Sequence, residues 1–177
     1  MHIFYTPQIV EGDCTLTEEE SKHCIKVLRL ACGDAITLVD GIGGYYQAVI
    51  SNASPKHCTF TITQKKVDFG KRDYSIHIAI APTKNIDRIE WFVEKAVEFG
   101  IDQITPLICQ HSERKTINAD RLEKIIQSAM KQSIKAYKPT LNNIISFPDF
   151  VAEEHNGTKL IAHCMESDKV SLKSMVG

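Results

Sequence analysis

Residues 75–109 constrain this chain more than any other stretch. The segment 75–81 alternates apolar and polar residues as a strand does, and 104–109 is a short apolar run. Between them, Ile86, Ile89, Phe92, Val93, Ala96 and Val97 recur at the i, i+3, i+4, i+7 spacing of a core-facing helical stripe. Gly100 stands where a helix C-cap belongs. Strand, helix and strand within so short a span form a βαβ unit, which commits this part of the chain to a parallel sheet. The outer face of the helix carries Lys84, Asp87, Arg88, Glu90, Glu94, Lys95 and Glu98. Glu90–Glu94 and Glu94–Glu98 are like charges at i,i+4, which stability alone disfavours. That weakly suggests another use for them.

The rest of the composition excludes several classes. The chain has 177 residues, 43% of them apolar and 24% charged, enough for a globular core of one or two small domains. No apolar run approaches the ~20 residues of a membrane span, and the N-terminus lacks a basic then apolar leader pattern. The six cysteines are scattered, with no C-x-x-C, as free thiols are in a reducing compartment. The expectation is a cytoplasmic protein without membrane or metal. Net charge is −1, so any nucleic-acid surface must concentrate its cations locally.

Before residue 64 the texture is mostly β. A strand is expected over 2–5. A capping-box pattern at Thr17–Glu20 predicts a helix to about Leu30. Strands follow over 35–39, 45–50 and 57–63, separated by turns at 32–34, 40–44 and 51–55. Such short strands suggest a small barrel over residues 1–70. Residues 65–73 are polar and Gly-broken, a linker, and an α/β domain is expected over 74–177. Asn118 is a good N-cap for a second helix reaching Tyr137, with Leu122, Ile125, Ile126, Ala129, Met130, Ser133 and Tyr137 as its stripe and Pro139 ending it. Strands at 143–146 and 159–164 and a short helix at 148–154 complete the pattern.

Two cationic sets share one spacing: Lys22, Lys26 and Arg29, with His23 beside them, and Lys131, Lys135 and Lys138. Each fits phosphate contact, but on these residues alone a solvated helix face is the favoured reading. The loop 110–115 follows a parallel strand, where open α/β sheets bind ligands, and Arg114 is its natural anion clamp; a polar connector explains it equally well. His23–Cys24, His57–Cys58 and His163–Cys164 match no zinc spacing, and neighbours on a strand point to opposite faces. Asp40–Gly44 reads as a hairpin turn. Of the adjacent Tyr45 and Tyr46, one should fill the barrel interior, though either could stack a base.

Taken in order, these pieces resemble one family. The segment His23–Arg29, then Gly33–Asp34 and Asp40–Gly41, is similar to the N-terminal pattern of RsmE-type ribosomal RNA methyltransferases. Lys84, Asp87–Arg88, Glu90, Glu94–Ala96, Glu98–Gly100, Ile104 and Pro106 resemble its K-x-x-R-x-E-x-x-x-x-K-A-x-E-L-G-V-x-x-I-x-P stretch, with Phe99 in place of leucine. Glu113–Arg114, Gln132–Ser133 and Pro139 match further positions, while Lys135 stands for a usual arginine. The resemblance covers nearly the whole chain. It implies a PUA-like barrel followed by an α/β SPOUT domain with a trefoil knot, working as a homodimer. It implies methyl transfer from S-adenosylmethionine to N3 of a uridine in 16S ribosomal RNA of the small subunit. It also places Lys22, His23, Lys26 and Arg29 on RNA, Arg114 in catalysis and His163 near the cofactor.

Two family segments, a G-P-E-G-G turn and an L-G-x-R-x-L-R-T-E-T-A segment, have no counterpart among these 177 residues. The expectation is a front portion lacking the knot, inactive alone and binding S-adenosylmethionine weakly or not at all. Uridine N3–H is a weak acid, so a cation such as Arg114 would stabilise charge developing on O2 or O4. The competing readings are a non-catalytic PUA-type RNA-binding protein and, more distantly, a metal-binding regulator built on the His–Cys pairs.

Overall fold

A computed structural model describes residues 2–7, 9, 14–162, 166 and 169–175. Its first sheet contains β1 (Ile3–Tyr5), β2 (Cys14–Thr15), β3 (Ala35–Val39), β4 (Tyr45–Asn52) and β5 (Thr59–Lys66). The order is β1-β3-β4-β5-β2, with only β1 and β3 parallel. Alternation fixes the register. Ile36 and Leu38 of β3, Tyr46, Ala48 and Ile50 of β4, and Phe60 of β5 bury together with Phe4, Cys24 and Cys58. β1 and β2 are the ends of this path, so among the described residues the sheet curls without closing into the expected barrel.

The first helix differs from its prediction. α1 (Glu18–Lys22) is capped by Thr17, whose Oγ1 accepts the Glu20 N–H at 3.3 Å. Glu20 does not return the bond that would complete a capping box; its carboxylate takes Lys131 Nζ at 2.6 Å instead. A π turn, His23–Val27, follows, and the Leu28 N–H donates to the His23 carbonyl at 3.0 Å. In this wider turn Val27 is 65% exposed, while Cys24 is fully buried. Arg29 then ends the helical path at φ 58.

The second sheet contains β6 (His77–Ile80), β7 (Gln103–Ile108), β8 (Thr140–Leu141) and β9 (Ile145–Ser146), all parallel where they pair with β7. α2 (Ile86–Phe99) joins β6 to β7 as the βαβ pattern requires. Asn85 Oδ1 accepts the Asp87 N–H at 2.9 Å, and Gly100 closes the helix at φ 96. α3 (Ala119–Gln132) opens on Asn118, whose Oδ1 accepts the Arg121 N–H at 3.0 Å. α4 (Phe147–Ala152) occupies the place of the expected short helix. Residues 159–162 form no strand; Leu160 and Ile161 are exposed, and no neighbouring strand takes their backbone bonds.

α3 ends five residues before Tyr137. Lys135 N–H donates back to the Met130 carbonyl at 2.9 Å, closing a Schellman-type end with Ile134 at φ 56. The chain then runs beside the Asp40–Gly44 turn. Gly43 N–H donates to the Ala136 carbonyl at 2.9 Å, and Lys138 N–H to the Gly41 carbonyl at 2.8 Å. These bonds replace the helical ones that a longer α3 would have made. Gly43, at φ 103, seats the Tyr137 ring, since a Cβ there would overlap the Tyr137 hydroxyl.

No strand pairing joins the two sheets among the described residues, yet they share a core. Val39 of β3 is fully buried among Ile89, Val93 and Val97 of α2 and Leu122, Ile126 and Met130 of α3. Ile3, Tyr5, Tyr45 and Phe69 pack against the same cluster. The faces of β1 and β3 turned away from the first core are thus covered by helices of the second half. Tyr46 fills the first core, while Tyr45 stacks on Phe69 with ring centroids 4.5 Å apart.

Candidate nucleic-acid interface

The N-terminal cationic set is not a helix face. Lys22 lies on α1 and pairs with Glu18 at 2.7 Å; the bond holds the Glu18 carboxyl below its usual range. His23 sets its ring edge-on to Phe4, centroids 6.4 Å apart. Lys26 lies in the π turn and Arg29 beyond it, both exposed, and neither makes an ion pair among the described residues. π turns inside α-helices are frequent at functional sites.

The second set is dismantled. Lys131 meets Glu20 at 2.6 Å, with side chains only 27% and 11% exposed, and so ties α3 to α1. Lys138 meets Glu123 at 2.6 Å. Only Lys135 has no ion pair among the described residues. The acidic face of α2 is used up in the same way. Glu90 receives Arg121 Nη2 at 2.7 Å and also its Nε, while Lys95 sits between Glu94 at 2.8 Å and Glu98 at 3.0 Å. Glu90 therefore ties α2 to α3, while Glu94 and Glu98 are neutralised by Lys95 on their own helix.

Arg114 sits in the loop after β7. Its Nη2 donates to the Lys84 carbonyl at 3.0 Å, which ties this loop to the N-terminal end of α2. Its Nε is buried with no hydrogen-bond partner among the described residues. Lys84 Nζ stands 3.7 Å from Glu113 Oε2, with both side chains well exposed, so that pair is loose. Lys84, Glu113, Arg114, Lys115 and Thr116 line an open depression of about 440 Å³. Three cations against one carboxylate suit an anion. His163 lies outside the described residues.

Sequence reasoning missed a second cavity, of about 490 Å³, where the C-terminal ends of α2 and α3 meet the linker after β5. Phe99, 88% exposed, was its available signal. It stands two residues after Val97, about 200° round the helix from the buried stripe. Cys24 and Cys58 are core residues, and burial pushes the Cys24 thiol up to about 12.

Comparison with known proteins decides what this arrangement belongs to. Residues 71–176 match the family model described as "RNA methyltransferase domain", and residues 16–63 match "RNA methyltransferase PUA domain". The chain belongs to this RNA methyltransferase family. A relative of known structure from Porphyromonas gingivalis, described as a "probable rRNA-methyltransferase", is 39% identical, with a TM-score of 0.79 over 88% of this chain and 65% of that one. A Legionella pneumophila protein solved with bound cofactor SAM superposes with a TM-score of 0.83 at 26% identity, over 94% of this chain and 72% of that one. Ribosomal RNA small subunit methyltransferase E of Rickettsia conorii is 25% identical over 156 residues, 87% of this chain and 62% of that protein. The chain spans 52% to 62% of the length of the curated relatives it matches.

The two cavities do not suit the SAM with which the Legionella pneumophila protein was solved. The loop depression has no apolar side chain to hold an adenine, and its three cations would repel a sulfonium. The junction cavity carries Lys71, Arg72, Lys135 and Lys138 against Asp102, which again favours an anion. No helix among the described residues is long and apolar enough to cross a membrane.

Proposed function

We propose that this protein acts in S-adenosylmethionine-dependent methylation of N3 of a uridine in 16S ribosomal RNA of the small subunit. The observation that carries the reading is the ordered pair of family models, PUA then methyltransferase, across residues 16–63 and 71–176. The small-subunit methyltransferase names of the relatives support the substrate. In this reading residues 1–70 bind RNA and residues 74–177 belong to a SPOUT domain with a trefoil knot that works as a homodimer in the cytoplasm.

Lys26 and Arg29, exposed and without ion pairs among the described residues, hold phosphate, with Lys22 and His23 beside them. Arg114 stands nearer the target base. Removing the N3 proton puts negative charge on the uracil carbonyl oxygens, and the Arg114 guanidinium on the lining of the depression is a donor for it. The Lys84 carbonyl takes another guanidinium N–H and fixes the direction of the fork.

Deleting the gene and measuring N3-methyluridine in 16S ribosomal RNA by mass spectrometry tests this reading. One methylated uridine should lose its mark and regain it on complementation. An unchanged set of N3-methyluridines would overturn the activity; RNA binding retained in that case would leave the non-catalytic PUA-type reading.

A further inference from the structure

The junction cavity combines three features that packing alone does not require. The first is exposed ring surface. Phe99 is 88% exposed and Tyr74 59% exposed on its lining. Both lie where two helix ends and the linker leave an opening of about 490 Å³.

The second is a stacking platform. Arg72 lies over the Tyr74 ring, 4.9 Å from its centroid. The same guanidinium donates to Asp102 Oδ1 at 2.6 Å, and Asp102 Oδ2 accepts the Ile76 N–H at 2.7 Å. Arg72 is therefore held in place from below while more than half of Tyr74 stays open. A guanidinium-backed aromatic ring is a surface on which an unpaired base stacks.

The third is charge together with strain. Four cations and one carboxylate line the cavity in a chain whose net charge is −1. Lys71, Arg72 and Lys138 each have a carboxylate partner, so Lys135 carries the open charge. Lys135 follows Ile134, a β-branched residue at φ 56 where a Schellman end ordinarily has glycine. Ile134 is 38% exposed on the same lining. Strain kept at a cavity rim, with an apolar side chain turned to solvent, points to use of that rim.

We propose that this cavity binds an unpaired nucleotide of the RNA substrate. The base stacks on the Arg72–Tyr74 platform and meets Phe99 and Ile134, and the phosphate lies at Lys135. A duplex cannot occupy it in this way, because its bases are already stacked on one another. The site is separate from the exposed cations after α1 and from the Arg114 depression, and it gives the RNA a third point of contact at the junction of the two sheets. The inference rests on RNA being the substrate.

The test uses the 177-residue chain and a short, fluorescein-labelled single-stranded RNA carrying 4-thiouridine. Anisotropy should show Tyr74→Ala binding about tenfold more weakly, as loss of one stacked base gives, and Tyr74→Phe within about twofold of the parent. Lys135→Ala should reduce the slope of log affinity against log salt by about one. Photocrosslinks should map to the tryptic peptide 73–84. If Tyr74→Ala and Lys135→Ala bind like the parent and crosslinks fall only elsewhere, the cavity assignment fails while the RNA reading stands. If the parent binds no RNA, both fail. If a duplex of the same sequence binds with the same dependence on Tyr74, the unpaired-nucleotide assignment fails. Tyr74 is exposed and Lys135 half-buried, and circular dichroism checks that each variant folds.

Discussion

Lys22, Lys26 and Arg29 share their spacing with Lys131, Lys135 and Lys138, and the structure treats the two sets differently. On continuous helices each set would be a single face. Neither helix continues: α1 gives way to a π turn at His23, and α3 ends at Gln132. In the first set only Lys22 is paired, with a carboxylate on its own helix. In the second, Lys131 and Lys138 are held by Glu20 and Glu123, the former from the other half of the molecule. Spacing thus proposes a cationic surface, and the carboxylates that tertiary structure brings near decide whether it stays available. One set holds the two halves together and leaves one lysine over. The other leaves two cations in solvent.

The largest expected effect comes from breaking the tie between the halves. Glu20→Ala strands Lys131 in a site where it is only 27% exposed, and should cost about 2 kcal/mol in urea denaturation. Glu18→Ala, which frees Lys22 at the surface, should leave the midpoint unchanged. Equal losses from the two would erase the contrast. A smaller effect of opposite sign is expected at Ile134. Glycine relieves the left-handed strain at φ 56, and Ile134→Gly should stabilise by about 1 kcal/mol, net of the freedom glycine adds to the unfolded chain. A loss of stability there would mean that Ile134 is held by packing rather than strained.

The smallest effect is pH-dependent. Tyr137 donates to Asp68 Oδ1 at 2.9 Å, and this bond, followed by Lys71, holds the Asp68 carboxyl below its usual value. A carboxyl lowered in the folded state contributes stability above its unfolded pKa. That contribution disappears as pH falls through the folded value. Acid titration of stability should therefore show a small loss below the ordinary carboxylate range, and Asp68→Asn should flatten it. An unchanged acid limb in Asp68→Asn would remove Asp68 from the junction's account.

How much of this was legible in the sequence differs by element. The βαβ unit, the Asn118 cap and the Gly100 cap rest on local rules, and the structure follows them. The end of α3 was not legible, because Ile134 occupies a conformation its side chain resists. Backbone bonds to Gly41 and Gly43, far away in sequence, hold the segment after it. The Glu20–Lys131 pair spans 111 residues, so a capping-box pattern was the natural local reading of Glu20. Arg114 was found from its place after a parallel strand. Its unpartnered Nε and its bond to Lys84 needed the fold. The junction cavity was invisible because its walls come from three separated segments, although Phe99 off the helix stripe was a trace of it.

Separating RNA affinity from chemistry tests the central claim most directly. In the native enzyme, single-turnover methylation of small-subunit RNA should be measured for Lys26→Ala and Arg114→Ala, with binding titrations at several salt concentrations. Lys26→Ala should lower affinity and reduce the salt slope by about one, with the rate at saturation retained. Arg114→Ala should lower that rate about a hundredfold while affinity changes far less. An unchanged rate for Arg114→Ala, or an unchanged slope for Lys26→Ala, would contradict the division of labour proposed for these cations.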